Sequence, residues 1–95
     1  MITRIVKLTL LPNKIDAFIA VFNESNEAIK KFDGCLSAML VKDIHQENVL
    51  FTISEWEKES DLNNYRDSVF FEGVWKKAKD TFEEKAIAWS VEKIG

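Results

Sequence analysis

Few side chains in this sequence can do chemistry, and those that can stand next to apolar stripes. Tyr65 carries a phenol that can donate a hydrogen bond to a ligand oxygen. Its ordinary pKa of about 10 makes it a poor base at neutral pH. Trp56 offers a flat face for stacking and one indole N–H. Asn26 comes four residues after Phe22 and three before Ile29, so it faces an apolar helical stripe. An amide there needs partners, which a ligand carbonyl, the backbone or water can supply. Arg4 shares a strand face with Ile2, Val6 and Leu8. It either anchors an acidic group of a ligand or reaches past the apolar surface to water or a carboxylate.

Two other reactive side chains read as ordinary. His45 is the only histidine and falls in a polar turn, with no second metal ligand at suitable spacing. Cys35 has no basic neighbour in sequence that would make a thiolate. No glycine-rich phosphate loop, metal-ligand cluster or nucleophile–base pair is present. The sequence therefore implies no metal and no bound cofactor.

The elements that must position these residues follow from hydrophobic period. Residues 2–11 alternate as a strand, which Pro12 stops because it cannot donate to a ladder. Ile15, Phe18, Ile19, Phe22 and Ile29 recur at helical spacing over 14–32, with Asn13 as the expected N-cap. Gly34 can take the left-handed conformation that ends such a helix. Strands are predicted over 35–43 and 49–57, joined by a short polar segment as a hairpin. Helices follow over 59–67, where Ser60 is a candidate cap, and over 69–83, with Phe71, Val74, Trp75, Ala78 and Phe82 inward. A last strand covers 85–94. This β-α-β-β-α-β order, its second α split, is a ferredoxin-like α+β fold in a single domain spanning 1–95.

The strands are apolar on both sides. Leu36, Ala38 and Leu40 oppose Met39 and Val41; Val49, Phe51 and Ile53 oppose Leu50, Thr52 and Trp56; Ala86 and Ala88 oppose Ile87, Trp89 and Val91. Helices can cover one face only. A second copy of the chain is the simplest cover for the other, so a homodimer through the helix-free sheet face is expected.

Bulk properties remove several function classes. The net charge is -3, with 13 basic and 16 acidic residues interspersed, so no basic stripe marks nucleic acid as a partner. No apolar run approaches a membrane span, and the N-terminus alternates too much for a signal peptide. With one cysteine, no internal disulfide can form, which fits the cytoplasm.

Gly34-Cys35 at the opening of the second strand, Trp56 at the end of the third, Leu62 after an acidic helix start, and Ser68 with Phe71 before the longer helix form a spaced set. In these residues and in element order the chain resembles the antibiotic biosynthesis monooxygenase family. The resemblance implies a ferredoxin-like subunit whose sheets pair into a dimeric β-barrel. It also implies cofactor-free oxidation of a small planar phenol or quinol by O2. Trp56 and Tyr65 would then be the catalytic positions, and Asn26, Arg4, Trp56 and Phe71 would contact the small aromatic substrate. Three positions depart from the family's habits: Ser54 and Tyr65 stand where a Glu and a His are frequent, and Phe70 where another His is frequent. Haem degradation is disfavoured, because residues 69–83 hold no His to serve as an axial ligand. A non-catalytic binding or stress-related dimer, and a small-molecule isomerase, remain as alternatives.

Overall fold

A computed structural model describes all residues, 1–95. Strand β1 (Ile2–Thr9) runs into a 3-10 turn at Pro12–Lys14 and then helix α1 (Ile15–Lys30). Strands β2 (Cys35–Lys42) and β3 (Val49–Trp56) form the hairpin. Helices α2 (Glu59–Arg66) and α3 (Val69–Lys79) precede the last strand, β4 (Ile87–Val91). The sheet is antiparallel throughout, in the order β2-β3-β1-β4, so β1 lies inside it. The expected ferredoxin-like fold is the observed one.

Several local expectations are corrected. Asn13 does not cap α1: it lies within the 3-10 turn, and the cap position is Lys14, with no side-chain hydrogen bond. Pro12 imposes that turn, because its fixed φ suits a helical start. Ser60 does not cap α2, whose cap position is Lys58. Ser68 caps α3, its Oγ accepting from the Phe71 N–H at 3.0 Å. Helix α3 ends at Lys79, and Phe82 joins the core by a bridge to Leu10. Leu36 leaves the inner face because the register slips between Cys35 and Ser37, where a bulge re-aims the side chains. Gly34 does adopt a left-handed backbone (φ 81°), and a Cβ there would collide with the Asp61 side chain.

Two buried clusters hold helices to sheet. Leu8, Leu10, Phe18, Leu50 and Ala78 pack at one end. Ile29, Trp56, Leu62 and Tyr65 pack at the other. Each large aliphatic or aromatic side chain buried this way contributes about 1.5–3 kcal/mol by the apolar area it withdraws from water.

Candidate functional site

The two clusters leave a gap between them, and the strand register explains it. Ala38, Ser54, Arg4 and Ser90 lie side by side across the inner face of the sheet. The adjacent inner row is Leu40, Thr52, Val6 and Ala88. Ala38, Ser54, Ser90, Thr52 and Ala88 are too short to reach the helices above them, and Arg4 is drawn aside to Ser90. A cavity of about 450 Å³ results, within the range of roughly 300–1,000 Å³ that suits small ligands. Phe18, Phe22 and Ser25 of α1 roof it, with Leu62 and Tyr65 of α2 and Phe71, Val74 and Trp75 of α3. Its mouth lies along β4, all five of whose residues are exposed, with Lys85, Ala86 and Ala88 at the rim.

Tyr65 is the aromatic centre of the site. Its ring stacks on Trp56 (centroids 5.2 Å apart, planes at 25°) and takes edges from Phe32 at 5.0 Å and Phe71 at 5.1 Å. Phe71 stacks in turn on Trp75, and Trp75 meets Phe82 edge-on. Such contacts fix ring planes as well as burying area. Burial pushes the Tyr65 phenol up to about 12, the nearby Cys35 thiol adding to the effect. Tyr65 therefore stays neutral at physiological pH, which suits it to donate a hydrogen bond and not to accept a proton.

The residues singled out in the sequence separate into two groups. Arg4, Tyr65 and Phe71 line the cavity together. Trp56 does not: it is fully enclosed behind Tyr65, and its indole N–H donates to Ser54 Oγ at 3.0 Å. Its place at the strand end, between α2 and the sheet, leaves it no free face for a ligand. Asn26 also stands off the lining, its Oδ1 buried without a hydrogen-bond partner. His45 lies exposed in the hairpin turn, where the Asp43 carboxylate accepts from the backbone N–H groups of residues 45 and 46. Burial raises the Cys35 thiol above its ordinary pKa, which disfavours the thiolate. Glu55 points to the opposite face and accepts from Ser37 Oγ at 3.1 Å.

Sequence reasoning missed Ser25, Arg66 and Lys85 as lining residues. Arg66 was findable: it follows Leu62 by four positions, so both can lean over one helical face. Ser25 gave no such signal, since its hydroxyl bonds back to the Val21 carbonyl at 2.8 Å, as an ordinary helical serine does.

The sequence model of the antibiotic biosynthesis monooxygenase family matches residues 1–84, and the chain belongs to that family. A conserved protein from Methanosarcina mazei Go1 superposes with a TM-score of 0.92 at 19% identity, covering 99% of this chain and 94% of the other. A structure described as an antibiotic biosynthesis monooxygenase gives 0.91 at 17% identity over the whole of both chains. Rv0793 from Mycobacterium tuberculosis gives 0.90 at 14% identity, covering 99% and 95%. At such identities the likeness establishes the fold and leaves the reaction open. No curated protein matches the sequence.

Proposed function

We propose that this chain is a cofactor-independent monooxygenase that oxidises a small planar phenol or quinol with O2 in the cavity beneath Tyr65. The observation that carries the reading is the cavity itself, mostly apolar, aromatic and sized for one or two fused rings. A quinol needs little from such a site. Its anion can pass an electron to O2 directly; one oxygen then enters a ring C–H position, the ring becomes a quinone, and the second oxygen leaves as water. The protein excludes bulk water, holds the ring against Tyr65 and Phe71, and supplies donors to the substrate oxygen. Tyr65 and Arg4 are those donors. Trp56 sets the plane of Tyr65, and Asn26 is a supporting polar group behind the wall.

The same reading makes the working unit a homodimer. Met39, Trp89, Ile87 and Val91 are about half exposed on the helix-free face, and a second sheet is the cover that fits them. Light scattering at micromolar concentration should return close to twice 11.0 kDa. No helix is long and apolar enough to cross a membrane, and the single free thiol suits the cytoplasm.

One observation favours a second reading, a binding module without turnover. No histidine or carboxylate lines the cavity, and Tyr65 is held neutral, so no general base faces a ligand. Oxygen uptake with a panel of quinols separates the two. We expect consumption above the buffer rate, lowered by Tyr65→Phe. Quinols that bind without oxygen uptake would leave the binding module standing and remove the enzyme.

A further inference from the structure

We propose that the cavity selects an aromatic oxyanion, a flat apolar body carrying one phenolate or carboxylate group, and that Arg4 and Arg66 together hold that group. This rests on the cavity being the ligand site and adds the charge of its ligand.

The chain has only two arginines, Arg4 and Arg66, and both line this one cavity. Lys85 joins them at the rim. No aspartate or glutamate lines the cavity, although the chain has 16 acids and a net charge of -3. Neither arginine has a carboxylate partner: the sole ion pair is Lys30 with Glu27, on the outside of α1. Arg4 Nη1 donates to Ser90 Oγ at 3.0 Å and makes no other side-chain hydrogen bond, which leaves most of its five N–H donors free. Burial, and after it the Arg66 charge, lowers the Arg4 pKa from its ordinary value. Two like charges lining one cavity, the Arg4 guanidinium half-buried and neither beside a carboxylate, favour an anion there. Guanidinium groups also suit planar oxyanions, which they bind through paired N–H donors.

Charge at this point would also do what the missing base does not. Two fixed cations favour the ionised form of a phenol, so the substrate can lose its proton to water and bind as the anion. Tyr65, neutral and a donor, can add one hydrogen bond to the same oxygen.

The test uses two probe pairs with the intact protein. In the first, 4-nitrophenol is titrated by its visible absorption, with the uncharged 4-nitroanisole as its isostere. In the second, 2-naphthoate is compared with 2-naphthaldehyde. We expect the anion of at least one pair to bind about tenfold tighter than its neutral isostere, the equivalent of a one-unit drop in the bound phenol's titration midpoint. Added salt should reduce that preference. Arg66→Gln, at an exposed helix position, should remove most of it, and Arg4→Gln should do the same. The pair that responds names the oxyanion. Equal binding of charged and neutral probes, or a preference unmoved in both variants, overturns the proposal and leaves the cavity's role as a ligand site intact. If no probe binds up to millimolar concentration, the ligand site itself fails.

Discussion

The two faces of the sheet are one residue apart in register and opposite in character. Across the inner face run Ala38, Ser54, Arg4 and Ser90; across the outer face, one step along each strand, run Met39, Ile53, Ile5 and Trp89. In this pair of rows the covered side carries small and polar residues and the uncovered side large apolar ones, while the packed ends of the covered face hold Leu8, Leu50 and Trp56. A monomeric sheet with one wet side has the reverse arrangement. Emptiness over the inner row is what a ligand can fill, and oiliness on the outer row is what a second subunit can cover.

Four changes would break or sharpen that contrast. The largest concerns an edge of the inner face that is packed solid: Trp56→Ala should lower unfolding stability by about 4 kcal/mol, read from denaturant melts, because a fully buried indole leaves a cavity. A change of only 1 kcal/mol would mean that Tyr65 and Leu62 collapse into the space. Ile53→Asp on the outer row should weaken the proposed dimer by about 3 kcal/mol or more, seen as a mass near 11.0 kDa with helical content kept. An unchanged mass would place the contact elsewhere.

The third probe is pH. Tyr65 ionises at about 12 when folded, against an ordinary 10.0. Between those values the unfolded chain releases a proton that the folded chain keeps, so stability falls as pH rises. The loss should reach about 2–3 kcal/mol by the upper end, and Tyr65→Phe should remove that component of the alkaline melt. The smallest effect on stability falls within the cavity. Ala88→Leu should change stability by only about 0.5 kcal/mol, since the position is at an exposed rim. Ligand binding should nonetheless weaken by about tenfold, or ~1.4 kcal/mol.

These contrasts were unequally legible in the sequence. Alternation along 36–41 and 86–91 announced two apolar faces, and helical spacing from Ile15 to Ile29 placed α1, because both patterns are local. The bulge that turned Leu36 outward depends on how two strands align, which no single segment records. The cavity was the least visible feature. Ala38, Ser54 and Ala88 look like unremarkable strand residues, and only their meeting across three strands makes a hollow. Trp56 and Asn26 had the right chemistry for a site, but depth within a layer is set by neighbours from other elements. Arg66 shares a helical face with Leu62, but only the fold brings it over the same opening as Arg4.

The interior position of β1 also governs the order in which the molecule can be made. Its partners are β3, whose pairing joins Ile2 to Trp56, and β4, whose pairing joins Thr3 to Val91. A chain leaving the ribosome therefore carries β1 unmatched until β3, some fifty residues later, has been synthesised, and its second neighbour, β4, comes some thirty residues after that. Such long-range pairing slows folding and keeps sticky edges exposed meanwhile. Pulse-labelled hydrogen exchange should find the β1–β3 amides protected before those of β4. Strand β1 thus precedes both of its neighbours in the chain and is enclosed only when the later of them docks.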